Sequence, residues 1–303
     1  MIMEENEISA YQKAGEIAVE VKRFVRSFVK PGVKLLEIAE QIEKKIRELG
    51  GEPAFPVNLS LNEIAAHYTP DPEDETIAEG ILKIDIGISV EGFIADTAIS
   101  IDLTPDGEFK DLIEANKGVL ASATEIVRPG MKVMDVGKAV QKSLKKFNED
   151  NETEFSVIRS LSGHSLAEDT IHAGLTISNY PNENDAELND MAFAIEPFLT
   201  SGDGDIYEGK VGEIYGLVSD AQVRDGDARE ILKFIKENYK TRPFCRRWLV
   251  DEGFSKVNFA LSVLVKQGIL HNYPVLVEKS KAPVSQAENT FLIYGDKVEV
   301  TTE

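Results

Sequence analysis

The chain has 303 residues, a formal net charge of −20 and 42% hydrophobic residues. This length and hydrophobic content can bury the core of one large domain or two smaller ones, which excludes a disordered or fibrous protein. The acidic balance argues against specific binding to nucleic acid or to an anionic membrane, because both need clustered lysine and arginine.

The distribution of cysteine and apolar residues indicates the compartment. No run approaches the ~20 consecutive apolar residues that span a bilayer. The single cysteine, Cys245, excludes an intrachain disulfide, and the opening residues do not have the pattern of a signal peptide. We therefore expect a cytoplasmic protein.

The beginning of the chain predicts two amphipathic helices. Apolar residues recur at spacings of three and four over residues 7–28 and again over residues 35–49. Pro31-Gly32 separates the two patterns, and Gly50-Gly51 follows the second, as glycine commonly does after a helix.

An internal repeat then appears. Residues 127–136 match the residue types of 29–38 with an offset of 98, and both copies lie between helical patterns. Two copies are too few for a solenoid, so the repeat predicts a pseudo-twofold domain of two α/β halves with a site between them.

The remaining patterns complete the predicted architecture. Two β-rich runs, 81–88 and 93–101, predict a hairpin, and further strands are predicted at 191–197, 289–293 and 297–301. Residues 220–273 are helical and charged and have no counterpart in the first half. We therefore expect an α+β fold in which residues 1–303 form one domain and 220–273 form a helical insertion subdomain within it.

Acidic residues accompany the predicted strands. Asp85 and Asp96 lie on the two arms of the hairpin and share a face for any even-length loop, directly opposite if the turn is Val90-Glu91 and diagonal if it is Glu91-Gly92. A carboxylate in an apolar strand is costly unless a cation neutralises it. The alternative is one aspartate at a strand end and one on a solvated face.

The four histidines are unevenly placed. His67, His164 and His172 lie in segments that join helix pairs to strands, whereas His271 lies in the charged helical region. Each alone is more commonly a packed or surface histidine. One imidazole combined with four carboxylates would make an oxygen-rich site for two divalent ions, favouring Mn, Fe(II) or Co, with Zn also open.

The sequence contains no complete copy of the other common catalytic motifs. The sequence contains no GxxxxGK[ST] loop, no GxGxxG fingerprint and no HExxH helix. Residues 163–167 approach the GxSxG nucleophile elbow, but the residues that follow lack the helical pattern that an elbow requires.

Several segments, in this order and spacing, resemble type 2 methionine aminopeptidases: 53–58, 65–70, 161–164, 171–174 and 194–198. Residues 244–249 are similar to the helical insert that distinguishes type 2 from type 1 enzymes, and the short N-terminus is similar to the archaeal form. The resemblance covers nearly the whole chain. It implies the pita-bread fold and the removal of N-terminal methionine from peptides and nascent proteins.

The resemblance also implies a set of metal ligands. Asp85 would bind one ion, Asp96 and Glu288 would bridge both, and His164 and Glu196 would complete the second. A bridging water would attack the scissile carbonyl, because two cations lower its pKa.

The resemblance also assigns roles in catalysis and substrate binding to five residues. Glu196 would move the proton, His172 would hydrogen-bond the carbonyl oxygen, and His67 would lie near the substrate amine or amide nitrogen. The methionine side chain would occupy an apolar pocket lined by Phe55 and Ile171.

One departure and two alternatives remain. The family usually has Phe-Glu-His-Thr around its last ligand, whereas this chain has Ala287-Glu288-Asn289-Thr290, a change that could alter metal affinity. An X-Pro peptidase or prolidase shares the fold, but generally carries an additional N-terminal domain. A metal-free pita-bread binding module is the second alternative, against which the filled ligand positions argue. We expect a monomer.

Overall fold

The computed structural model describes residues 3–303. Its helices are α1 (Glu5–Phe28), α2 (Leu35–Glu48), α3 (Lys110–Thr124), α4 (Val133–Asn151), α5 (Gly226–Asn238), α6 (Arg246–Asp251) and α7 (Val257–Lys266). Across this described range, none of the helices is both long enough and apolar enough to cross a membrane.

Short strands alternate with these helices. The first half contains β1 (Glu52–Pro53), β2 (Asn58–Leu61), β3 (Ile64–Ala66), β4 (Ile81–Val90) and β5 (Phe93–Asp102). The middle contains β6 (Met131–Lys132), β7 (Ser156–Val157), β8 (Ser162–Leu166), β9 (Thr176–Ser178), β10 (Glu187–Leu188), β11 (Met191–Ile195), β12 (Phe198–Thr200), β13 (Ile206–Glu208) and β14 (Ile214–Leu217). The last part contains β15 (Phe244–Cys245), β16 (Leu270–Tyr273), β17 (Leu276–Glu278), β18 (Val284–Gln286), β19 (Asn289–Tyr294) and β20 (Lys297–Val300).

The two halves repeat one arrangement. Helices α2 and α4 begin at Leu35 and Val133, the same offset that separates the two sequence repeats. A glycine with positive φ precedes each helix, 85° at Gly32 and 74° at Gly130. Residues that carry a side chain rarely adopt this conformation. The Gly32 amide donates to the Ala78 carbonyl, and the Gly130 amide donates to the Leu188 carbonyl. Each half encloses its own hydrophobic core.

The hairpin of β4 and β5 is the longest strand pair. Val90 pairs with Phe93, so Glu91 and Gly92 form the turn, with φ of 53° and 91° respectively. Positive φ at both positions is the geometry of a type I′ turn, whose twist suits a two-residue hairpin. Asp96 therefore pairs with Gly87, and Asp85 lies diagonally from it.

The second half contains a five-stranded sheet in the order β20-β19-β11-β8-β9. Strand β11 pairs antiparallel with both β8 and β19. An isolated bridge joins Ala98 of β5 to Glu288, which precedes β19. This bridge connects the sheets of the two halves beside the hairpin.

Helices α5, α6 and α7 pack around a third hydrophobic cluster. We propose that they form the inserted helical subdomain predicted for residues 220–273. Strand β14, which precedes that range, pairs with both β15 and β16, so the unit begins earlier than the helical pattern indicated. Glu43 of α2 accepts hydrogen bonds at 2.8 Å from Arg247 and Trp248 of α6, which joins this unit to the first half.

Candidate metal centre

A cavity of about 480 Å³ opens where the two halves meet the helical unit. Among the residues that line it are most of the predicted site residues, namely Phe55, His67, Asp85, Asp96, His164, Ile171, His172 and Glu196. Glu288 is 1% exposed and is not among the lining residues, but its carboxylate lies within 4.8 Å of ligand atoms of Asp85, Asp96, His164 and Glu196.

The predicted metal ligands converge in two overlapping groups. Ligand atoms of Asp96, His164 and Glu288 all lie within 4.8 Å of one another, as do those of Asp85, Glu196 and Glu288. His164 Nε2 is 3.7 Å from Asp96 Oδ2 and 4.0 Å from Glu288 Oε1. Glu288 belongs to both groups, so its carboxylate is the shared member.

Backbone pairing brings these side chains together. Asp85 and Asp96 lie on the hairpin, His164 lies on β8, and Glu196 directly follows β11. Because β8 pairs with β11, His164 and Glu196 project from neighbouring strands. The Thr97 hydroxyl donates to the Glu288 carbonyl at 2.8 Å, which fixes the fifth residue beside β5.

Burial controls the protonation of the acidic residues. Burial raises the pKa of Asp85 to about 7 and, together with the negative charges of neighbouring carboxylates, raises the pKa values of Asp96, Glu196 and Glu288 well above their usual range. Burial lowers the pKa of His164 to about 3, so its imidazole is neutral near pH 7. Among residues 3–303, no lysine or arginine forms a salt bridge with these four carboxylates, whose only such partner is the neutral His164.

The orphaned oxygens fit a metal centre. Within residues 3–303, Asp85 Oδ1, Asp96 Oδ1 and both oxygens of Glu288 are buried without a hydrogen-bond donor. Buried carboxylates of this kind are normally paired or coordinate a metal ion. Four carboxylates and one neutral imidazole form a donor set suited to two divalent ions.

Gln286 is a member of the site that the sequence patterns missed. Its Nε2 donates to Asp85 Oδ2 at 3.2 Å and to Glu196 Oε1 at 2.7 Å. The resemblance assigned Glu196 to the same ion as His164, whereas this amide groups Glu196 with Asp85. The only sequence signal was its position two residues before Glu288, and a glutamine there has no distinctive chemistry.

The two predicted catalytic histidines both line the cavity. The ring of His172 meets that of His164 edge to face, with centroids 4.3 Å apart. His67 Nδ1 is 3.3 Å from the Pro274 carbonyl, and burial lowers the pKa of His67 to about 4. A carbonyl only accepts, so Nδ1 carries the proton and Nε2 has a free lone pair.

The apolar part of the cavity combines predicted and unpredicted residues. Phe55 and Ile171 belong to one hydrophobic cluster. A Cβ on Gly87 would lie 2.3 Å from Phe55 Cε1, so the phenyl ring can pack against β4 only because residue 87 has no side chain. The lining also includes residues that were not predicted as site residues, among them Phe198, Ile214, Thr241, Pro243, Tyr273 and Leu276.

The residues around Glu288 that depart from the usual family pattern have defined surroundings. Ala287 packs into the core of the second half. Asn289 Oδ1 accepts a hydrogen bond from the Thr302 hydroxyl at 3.1 Å.

Strand β8 passes into a bridge and turn rather than a helix, so residues 163–167 do not form a nucleophile elbow.

Comparison with known proteins decides the family. The pattern of metallopeptidase family M24 matches residues 9–228. The chain belongs to metallopeptidase family M24. A methionine aminopeptidase of Pyrococcus horikoshii is 45% identical over 296 residues, which cover 96% of this chain and 98% of that protein. The predicted methionine aminopeptidase family is confirmed.

Solved structures confirm the M24 pita-bread fold. A thermophilic Arx1 matches with a TM-score of 0.83 at 18% identity, covering 99% of this chain and 91% of that one. Methionine aminopeptidase from Rickettsia prowazekii matches with a TM-score of 0.69 at 22% identity, covering 100% of this chain and 99% of that one. At these identities the likeness shows the fold alone.

Proposed function

We propose that this M24 metallopeptidase removes N-terminal methionine from peptides and nascent proteins with two divalent metal ions. One observation carries the proposal: four carboxylates and a neutral imidazole meet at a cavity that has apolar residues in its lining. Asp96 and Glu288 are buried, and Asp85 and Glu196 are partly buried. The 45% identity to a methionine aminopeptidase over nearly the whole chain supports the choice of substrate.

The proposed division of the ligands between the two ions follows the resemblance to the family, whereas the ligand atoms in the structure group Glu196 with Asp85. Asp85 would hold one ion, Asp96 and Glu288 would lie between the two, and His164 and Glu196 would complete the second. Two divalent ions would balance four carboxylates, polarise the scissile carbonyl and lower the pKa of water. The oxygen-rich donor set favours Mn, Fe(II) or Co, and Zn remains an outcome of metal analysis.

Glu196 is the proposed proton carrier. Its Oε1 accepts from Gln286 Nε2 at 2.7 Å, which restrains the carboxylate, and Glu196 lines the cavity. Its carboxylate would take a proton from the attacking water. The same group then returns that proton to the departing amine.

The two histidines would act on opposite ends of the peptide bond. His172, beside the ligand His164, can donate to the carbonyl oxygen as negative charge develops there. His67, with its proton on Nδ1, can accept a hydrogen bond at Nε2 from the substrate amine or amide nitrogen. Phe55 and Ile171 would enclose the methionine side chain and exclude water.

A matched peptide panel tests the proposal: Met-Ala-Ser, Leu-Ala-Ser, acetylated Met-Ala-Ser and an X-Pro dipeptide, each with Mn, Fe(II) or Co. We expect Met-Ala-Ser to be cleaved fastest and the acetylated peptide to resist, since the acidic site needs a free amine. An apolar pocket separates neighbouring side chains by only ~1–3 kcal/mol, so slow cleavage of Leu-Ala-Ser is expected.

Two results would reject methionine release. Faster cleavage of the X-Pro dipeptide would indicate the prolidase alternative. No cleavage with any metal would indicate the binding-module alternative.

We further propose that the protein works in the cytoplasm as a monomer, with peptide or nascent-chain N-termini as its partners and no specific nucleic acid or membrane. The only cysteine, Cys245, is buried and free, which is consistent with a reducing compartment. Light scattering of the purified protein tests the monomer.

A further inference from the structure

Asp169 lies where three segments around the cavity meet. It belongs to the loop between β8 and β9 and precedes Ile171 and His172 by two and three residues. Its amide donates to the Gly92 carbonyl at 2.8 Å, in the turn of the hairpin that carries Asp85 and Asp96. Its own carbonyl accepts from the Thr241 hydroxyl at 2.5 Å, in the helical unit.

The Asp169 side chain adds a charged contact with the helical unit. Asp169 Oδ2 is paired with Lys240, and Oδ1 is 3.2 Å from Arg242 Nε. The Asp169 and Arg242 side chains are 11% and 13% exposed, whereas that of Lys240 is 54% exposed. Lys240 donates a hydrogen bond to Asp169, but solvent screens its charge strongly. The Arg242 charge is less screened, although its Nε makes no hydrogen bond of good geometry.

Arg242 extends the connection to a third segment. Its Nη1 donates to the Pro53 carbonyl at 3.3 Å, two residues before Phe55. Its Nη2 donates to the Asn238 carbonyl at 3.0 Å, at the end of α5. One guanidinium therefore joins the segments that carry Phe55, His172 and the helical unit, and its planar shape suits several simultaneous contacts.

The connected segments form facing walls of one cavity. Ile171 and His172 line it from the β8–β9 loop, and Thr241 and Pro243 line it from the helical unit. On the basis of the proposed function, we propose that Asp169 and Arg242 are positioning residues that hold these walls together, setting the width of the methionine pocket and the place of His172. Neither residue touches the candidate metal ligands in any contact found among residues 3–303.

The conformation of Asp169 provides a conservative variant. Its φ is 50°, in the left-handed region that asparagine tolerates as well as aspartate does. Asp169→Asn thus keeps the backbone contacts to Gly92 and Thr241 while removing the charge that attracts Arg242. Asp205→Asn is the matched control, because Asp205 pairs with Lys279 on the exposed surface.

The first test is the kinetics of Met-Ala-Ser cleavage. We expect Asp169→Asn and Arg242→Gln each to raise KM by about tenfold, because small displacements of positioning groups have effects of this size or larger. The double variant should raise KM by no more than the single variant with the larger effect, because both substitutions remove the same contact. A merely destabilised enzyme would contain less folded protein and would show a lower kcat with an unchanged KM.

The second test needs no turnover. Amide hydrogen exchange over residues 167–173 and 239–243 should be faster in Asp169→Asn and unchanged in Asp205→Asn. Unchanged exchange in Asp169→Asn would overturn the proposal. Faster exchange with unchanged KM would also overturn it, because the contact would then be structural only.

The two proposals fail separately. Cleavage by the unmodified protein in the same assay tests methionine release. If it cleaves no peptide, the Kd for L-methionine, measured by calorimetry, replaces KM, and an equal Kd in Asp169→Asn and the unmodified protein would overturn the positioning role.

Discussion

Burial shifts the pKa values of the ionisable residues around the cavity. It lowers the pKa of His164 to about 3 and that of His67 to about 4, so both imidazoles are neutral at physiological pH. It raises the pKa of Asp85 to about 7, which reflects the cost of an unbalanced buried charge. A neutral nitrogen donor beside such carboxylates favours divalent cations.

His172→Ala is the first prediction at the residue scale. The variant should fold and bind Mn like the unmodified protein, because His172 is not among the grouped ligands. Its kcat for Met-Ala-Ser should fall by ~10²–10³, the usual cost of losing one donor to a developing oxyanion. Near-normal turnover by a folded, Mn-loaded variant would refute the role of His172.

His67 predicts a dependence of stability on pH. Its pKa is about 4 in the folded protein and 6.5 in a free histidine, so the unfolded state binds more protons between these values. The contribution of the neutral His67 to stability is therefore complete when the pH is above 6.5, and it is lost as the pH falls toward 4. Urea unfolding at about pH 7 and about pH 4.5 measures this change.

Between about pH 7 and about pH 4.5, we expect the free energy of unfolding to fall less in His67→Gln than in the unmodified protein. The glutamine does not titrate, so that part of the acid destabilisation is absent. An equal loss in both proteins would show that His67 takes up no proton on unfolding in this range.

The chemistry of single residues was partly predictable. Asp85, Asp96 and His164 could be selected because strand-borne acids and rare histidines stand out in a sequence. Gln286 and the Asp169–Arg242 pair could not, because glutamine and surface-type charges are common and their roles depend on pairings between distant segments. Their contacts join residues about seventy to two hundred positions apart.

At the scale of elements, the close approach of β8 and β11 supports the site. A Cβ on Gly163 would lie 2.1 Å from the Ala194 carbonyl oxygen, so Gly163→Ala must move the strand that carries His164 away from the strand that ends at Glu196. We expect weaker Mn binding and a loss of about 1–3 kcal/mol in unfolding free energy, typical of overpacking. Calorimetry and urea unfolding measure the two effects.

Gly118→Ala is the matched control for that change. Gly118 lies in α3, and a Cβ there would meet nothing within 4 Å. It should leave Mn affinity unchanged and stabilise the protein by up to ~1 kcal/mol, because alanine favours a helix over glycine. Equal Mn affinity in both glycine variants would contradict the importance of the β8–β11 approach.

Periodicity predicted the elements better than their boundaries. The hairpin was predictable from its alternating β-rich runs, but the sequence allowed either Val90-Glu91 or Glu91-Gly92 as the turn, and the structure has the latter. The helical unit was predictable from residues 226–266, where apolar spacing is helical. Strand β14 of this unit was not predictable. Its four residues have no distinctive hydrophobic period, and they form a strand by pairing with β15 and β16.

At the scale of the molecule, the repeat at 29–38 and 127–136 predicted two similar halves. It could not predict how they join, because the bridge from Ala98 to Glu288 links residues far apart in sequence and has no local signal. That bridge brings the shared carboxylate to the hairpin. The candidate metal centre therefore depends on the assembly of both halves, and neither half contains all five proposed ligands.

Metal restoration tests the central claim most directly. The protein is stripped with EDTA and titrated with Mn, Fe(II) or Co while methionine release from Met-Ala-Ser is followed, beside Glu288→Gln, which removes the shared carboxylate charge. We predict no release without metal, release on adding at least one of these ions, and at most weak release by Glu288→Gln. Full release by the stripped protein, or equal restoration in Glu288→Gln, would contradict a metal-dependent aminopeptidase built on these ligands.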